Sequence, residues 1–264
     1  MSSNSWKHPW IGLHSAIVPV YVDYGTLGHV TIRIMAPSKY VIILSGGSGF
    51  LGTAIRSELS TLDNVSVLIP SRSSHTPLYA NEEFISCSIT DPADVDSLIS
   101  HAAKLGTLTH LINSAGAFDM GDAHVETPEH LHALFDANLF GPWTLARASA
   151  QEMIRTSTHG TITTVASMAA VHVTLHQASY QIAKTAVLRL SQLLAEELAP
   201  HGIRANAVLP GYIVADEDSQ SQDKSRQTNW VRVSDVARMV VWCMSDDSRP
   251  LTGGALPLNH IPPS

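Results

Sequence analysis

Lys39-Tyr-Val-Ile-Ile-Leu-Ser-Gly-Gly-Ser-Gly-Phe-Leu-Gly52 decides the fold. Tyr40 to Ser45 is a short apolar run of strand-favouring residues, Gly46 to Gly52 forms a glycine-rich turn, and Thr53 to Leu59 has helical character. Strand, tight turn and helix in that order suit a dinucleotide. Glycines at 46, 49 and 52 let backbone approach a pyrophosphate and bring helix close to strand, and the helix N-terminus offers free N–H groups to phosphate.

Outward from this stretch, strands and helices alternate. Further strands are expected at Val65 to Ile69, Glu83 to Cys87, Leu108 to Asn113, Gly160 to Ala166, Ala205 to Leu209 and Ala255 to Leu258. Helical patterns fill the gaps: Asp91 caps one through His101, and others cover Pro128 to Asn138, Pro142 to Arg155, Ala178 to Leu198 and Ser234 to Met244. Such alternation predicts a Rossmann-like α/β fold, a doubly wound parallel sheet in a three-layer α/β/α single domain over residues 39–264. Residues 1–38 form an N-terminal extension. There Ala16 to Val22 and His29 to Met35 read as the strands of a β-hairpin.

Composition narrows the function. The chain has 264 residues, 44% of them hydrophobic, enough for a sizeable core, and its net charge of −7 argues against a nucleic-acid partner. No apolar run reaches the roughly 18 residues that span a bilayer. The segment Ile11 to Val22 is interrupted by His14 and Pro19, which argues against a signal peptide and for a cytoplasmic setting. Cys87 and Cys243 lie in apolar surroundings and read as buried thiols. The fourteen histidines form no spaced ligand set, so no metal is assigned.

The chemistry is carried by Ser167, Tyr180 and Lys184. Tyr180 and Lys184 are four residues apart on one helix face, so the ammonium is expected to lower the phenol's pKa from about 10. Ser167, ending a strand, places a hydroxyl at the carboxyl edge of the sheet, where it can hold the oxygen with which the phenol exchanges a proton.

With these residues in place, the chain resembles the short-chain dehydrogenase/reductase family from about Lys39 to Asn259. Asn113-Ser-Ala-Gly116 is similar to that family's Asn-Asn-Ala-Gly motif, Asn138 in Asn138-Leu-Phe-Gly141 to the asparagine that completes a Ser, Tyr, Lys, Asn tetrad, and Pro210-Gly211 to the turn beside the nicotinamide. Thr252-Gly-Gly254 is similar to the segment before the last strand. The resemblance implies hydride transfer between a nicotinamide and a ketone or secondary alcohol. Ser167 positions the oxygen, Tyr180 serves as acid or base, Lys184 tunes Tyr180 and holds the ribose, and Asn138 links Lys184 to solvent. The implied cofactor contacts begin in the turn with Gly46, Ser48, Phe50 and Leu51. They continue through Asn113, Ala115 and Gly116 to Tyr180 and Lys184, then Pro210, Gly211 and Ile213.

Arg72 bears on cofactor choice. The second strand ends in Ile69-Pro-Ser-Arg72 with no acid to bind a ribose 2′-hydroxyl, and an arginine there pairs with a 2′-phosphate. Ser71 and Ser73 add hydroxyls, so NADP(H) is the expected cofactor. Three departures from the family pattern stand out: the turn spacing is that of its extended members, Ser88-Ile89 replaces Asp-Val beside the adenine, and Ala215 replaces a threonine after Pro-Gly. Two other functions fit the same residues. One is non-redox chemistry such as dehydration, epimerisation or cyclisation using Tyr180, and the other is dinucleotide sensing without turnover. The stripe Val187, Leu190, Leu194, Leu198 and the helix Pro142 to Arg155 fit either internal packing against the sheet or, as the resemblance implies, the interface of a homodimer or homotetramer. Residues Ala215 to Asn229 match the family's substrate loop.

Overall fold

The computed structural model describes residues 20–24, 30–34, 39–217 and 230–259. Strands β1 (Val20–Tyr24) and β2 (Val30–Ile34) pair antiparallel, Val20 opposite Ile34 and Tyr24 opposite Val30. The residues between them and those before Val20 lie outside the described residues. So do residues 218–229 of the expected substrate loop.

From residue 39 onward the glycine turn organises the domain. Strand β3 (Tyr40–Ser45) runs into the turn, and helix α1 (Phe50–Leu59) leaves it. Then come β4 (Val65–Ser71), β5 (Glu82–Ser86), α2 (Pro92–Leu105) and β6 (Thr107–Asn113). Helix α3 (Pro128–Phe135) joins α4 (Gly141–Arg155) through a π-helical turn, Asp136–Phe140. The remainder is β7 (Thr161–Val165), α5 (Ala178–Leu198), β8 (Arg204–Pro210), the short pair β9 (Tyr212–Val214) and β10 (Trp230–Arg232), α6 (Val233–Trp242) and β11 (Ala255–Leu258).

Seven strands form one parallel sheet in the order β11-β8-β7-β6-β3-β4-β5. The chain winds outward from β3 in both directions, so the sheet has its topological switch point between β3 and β6, and the crevice outside those strand ends is where such sheets bind ligands. Alternation on β3 fills both faces. Val41 and Ile43 join the core under α2, α4 and α5, whereas Ile42 and Leu44 join the core under α1 and α6. All four are fully buried, each contributing about 1.5–3 kcal/mol. This two-faced burial explains why β3 is apolar throughout rather than alternating.

The element boundaries differ from the expected ones at helix ends. The helix capped by Asp91 runs to Leu105, past His101, where Gly106 ends it. The expected helix Pro128 to Asn138 widens into π geometry from Asp136 onward and continues into α4 without a break. Its start is fixed by Thr127, whose hydroxyl accepts from the His130 amide, with Pro128 in the first turn.

Candidate active site

Glycine is required in the turn by space. Gly46 has a φ of +73°, and a Cβ on it would lie 2.6 Å from the Ala115 nitrogen; on Gly52 a Cβ would lie 2.0 Å from the Gly46 carbonyl oxygen. The turn is closed by the Gly49 amide donating to the Gly46 carbonyl at 3.0 Å, and α1 begins with the Thr53 amide donating to Gly49. Behind it, Arg56 of α1 is buried in a two-pronged pair with Glu82 of β5 at 2.8 and 2.6 Å, reaches the Gly47 carbonyl at 3.4 Å and lies over the Phe84 ring. Burial alone would raise the Glu82 carboxyl. The Arg56 hydrogen bonds and the amides of Leu78 and Tyr79 bring it below its ordinary value.

A cleft of about 680 Å³ opens above the turn. Gly46, Ser48, Ser71, Arg72, Ala115 and Gly116 of the expected cofactor set line it, with Ser73, Ser88, Ile89, Thr90 and Asp136. Arg72 is exposed at the end of β4. Four further residues of the expected set do not line the cleft. Leu51 and Ile213 pack against the core on the α1 and α6 side, Phe50 is solvent-exposed, and Asn113 is buried in the scaffold. The Asn113 carboxamide donates to the Pro142 carbonyl at 3.1 Å and accepts from Ser45 Oγ at 3.4 Å, and Ser45 Oγ in turn accepts from the Ala115 amide. Asn113 therefore locks β3, β6 and α4 together beneath the cleft. Pro210 is buried at the end of β8, and the Gly211 amide donates to the Leu258 carbonyl.

The tetrad residues converge beside this cleft. Ser167 follows β7, its hydroxyl accepting from the Ala169 amide at 3.1 Å and near enough to the Tyr180 phenol to bear on its ionisation. Lys184, one turn beyond Tyr180 on α5, is 6% exposed and donates to the Val165 carbonyl at 3.0 Å. Asn138 sits in the π-helical turn, a geometry frequent at functional sites. Its amide nitrogen donates to the carbonyls of Ala117 and Leu134, and its oxygen accepts from the Ala117 amide. A Cβ at Gly116 would lie 2.7 Å from Asn138 Oδ1 and 3.4 Å from Lys184 Nζ, so a glycine of the cleft wall makes room for both.

Electrostatics correct one expectation. Burial pushes the Tyr180 phenol above its ordinary value, opposed by the Ser167 hydroxyl. The predicted lowering by Lys184 is missing because Nζ stands 5.8 Å from the Tyr180 ring centroid and spends its hydrogen bond on Val165. Burial instead lowers Lys184 itself, to about 8. Phe118, unnoticed in the sequence, meets Tyr180 edge-to-face with centroids 5.0 Å apart. Both cysteines are free and buried, as expected, and the Cys87 thiol is pushed up to about 11 by burial. Among the described residues there is no cluster of side chains that could hold a metal, and no helix is long and apolar enough to cross a membrane.

Known proteins resemble this chain in sequence and fold. Residues 72–260 fit the family model described as enoyl-(acyl carrier protein) reductase. The 3-oxoacyl-(acyl-carrier-protein) reductase FabG of Escherichia coli K12 is 28% identical over 191 residues, covering 69% of this chain and 78% of the relative. L-rhamnose 1-dehydrogenase (NAD(P)(+)) of Azotobacter vinelandii is 33% identical over 181 residues, 63% of this chain and 70% of the relative. A solved structure described as ElxO with NADP bound superposes with a TM-score of 0.74 at 22% identity, covering 83% of this chain and 96% of that one. The chain belongs to the enoyl-(acyl carrier protein) reductase family of short-chain dehydrogenases/reductases. It is an oxidoreductase of that class.

Proposed function

We propose that the protein is an NADP(H)-dependent ketoreductase or alcohol dehydrogenase acting on a small ketone or secondary alcohol. The observation that carries this reading is the meeting of Ser167, Tyr180, Lys184 and Asn138 at the edge of a cleft whose floor is the glycine turn. The cleft suits a dinucleotide. Gly46 and Gly49 line its floor, and exposed Arg72, between Ser71 and Ser73, offers a cation to a 2′-phosphate. FabG and the rhamnose dehydrogenase, both named for chemistry at a carbon bearing oxygen, support the assignment.

The bound nicotinamide would supply or accept the hydride. The rest falls to the chain. Ser167 holds the substrate oxygen, and Tyr180, kept neutral by burial, donates a proton to it as the carbonyl becomes an alcohol. Lys184, whose pKa of about 8 lies near working pH, returns a proton towards Tyr180, and Asn138 orders the route behind it. Cytosolic function fits the two free cysteines. A homodimer or homotetramer would bury the groove between α4 and α5, where Trp143, Ile154 and Leu193 are exposed.

Fluorescence titration with NADPH and NADH tests the cofactor assignment. Arg72→Ala should weaken NADPH by about tenfold or more, the worth of a charge-assisted hydrogen bond, and leave NADH unchanged. Equal binding of both nucleotides by the unaltered protein would contradict it.

A further inference from the structure

Glu126 lies just ahead of α3 with only 7% of its side chain exposed, and the proposed mechanism has no use for it. Its carboxylate reaches across 53 residues to the first turn of α5: Oε2 accepts from the Ser179 amide at 3.0 Å and from the Ser179 hydroxyl. A carboxylate at a helix N-terminus satisfies amides that have no intrahelical partner and is favoured by the helix dipole. Gln177, the residue in the cap position of α5, makes no side-chain capping bond of its own. Glu126 therefore supplies from a distance what a local Ser or Asp would supply elsewhere.

The carboxylate is itself held. His130, one turn along α3, meets Glu126 Oε1 through Nδ1 at 2.5 Å and Asp119 Oδ2 through Nε2 at 3.0 Å. Gly121 packs against the same oxygen, since a Cβ there would fall 2.8 Å from Oε1. Its backbone is stitched to the start of α5, the Gly121 amide donating to the His176 carbonyl at 2.8 Å and the Ala178 amide to the Gly121 carbonyl at 3.1 Å. The helix turn so anchored is the one that carries Tyr180, the neighbour of Ser179.

The geometry points to Glu126, braced by His130, as the positioning residue for Tyr180: it fixes the first turn of α5 so that the phenol stays within hydrogen-bond reach of Ser167. The inference rests on the ketoreductase reading for its effect on turnover, but not for its effect on the position of the tyrosine. Displacements of about 1 Å at a reacting group cost up to about a hundredfold in rate.

The test uses the full chain labelled with 3-fluorotyrosine, the Tyr180 signal being assigned by its loss in Tyr180→Phe. Glu126→Ala should shift or broaden that fluorine signal and lower kcat by about tenfold to a hundredfold, with NADPH affinity and ketone KM within about twofold of the unaltered protein. Glu126→Gln, which keeps an oxygen for Ser179, should recover most of both effects, and Glu129→Gln in the first turn of α3 should change neither. Should Glu126→Ala fail to fold, Ser179→Ala decides, with a smaller change in the same direction. An unchanged Tyr180 signal and kcat in Glu126→Ala or, if that variant does not fold, in Ser179→Ala would overturn the inference while leaving the ketoreductase reading intact. If the unaltered protein turns over no ketone, that reading fails, and the fluorine signal alone decides the role of Glu126.

Discussion

Lys184 Nζ stands 5.8 Å from the centre of the Tyr180 ring and gives its hydrogen bond to the Val165 carbonyl, the end of the strand that leads to Ser167. The lysine thus ties α5 to β7 at the level of the site. Its ammonium lies over the face of the Tyr180 ring.

Burial of Lys184 makes stability depend on pH in a definite sense. Its folded pKa of about 8 lies below the unfolded 10.5, so between those values the unfolded chain binds more protons and stability rises with pH. Below pH 8 the cost of burying the charge is present in full, on the order of 3 kcal/mol. Lys184→Met should remove this rise. Denaturant melts of both proteins at pH 7 and pH 9 check it, and the gap between them should narrow at the higher pH.

Gly52 leaves no room for a side chain. With a Cβ 2.0 Å from the Gly46 oxygen, Gly52→Ala must open the turn, costing about 1–3 kcal/mol and weakening NADPH by roughly tenfold or more. Thermal melting together with nucleotide titration reads both effects.

The Arg56 and Glu82 pair supports that turn from behind, with side chains only 5% and 1% exposed. Glu82→Gln leaves a buried guanidinium without its charge partner and should destabilise the protein by about 3–5 kcal/mol. The folded pKa of Glu82 is depressed, so its contribution is present above the unfolded value of 4.5 and lost as pH falls through the folded one. Acid unfolding of Glu82→Gln should accordingly lack that component, a difference visible in melts between pH 3 and pH 6.

Much of this was legible in the sequence because local geometry demanded it. Gly46 and Gly52 are dictated by backbone crowding, and Tyr180 with Lys184 by the pitch of one helix. The sequence shows an apolar residue near the turn but not which way its side chain faces; those of Leu51 and Ile213 pack against the core. The Lys184 partner was hidden for a similar reason, since Val165 lies on another element. Glu126 had no local signal at all. Its partner, Ser179, is 53 residues away, and the Glu126 segment reads as an ordinary helix entry.

Turnover of Tyr180→Phe tests the central claim most directly, followed as the decay of NADPH absorbance with a panel of ketones. Loss of a positioned proton donor should cut kcat by about a hundredfold to ten-thousandfold while NADPH binding persists. If the phenylalanine variant consumed NADPH as fast as the unaltered protein, Tyr180 would not be the acid, and the ketoreductase account built on it would fail.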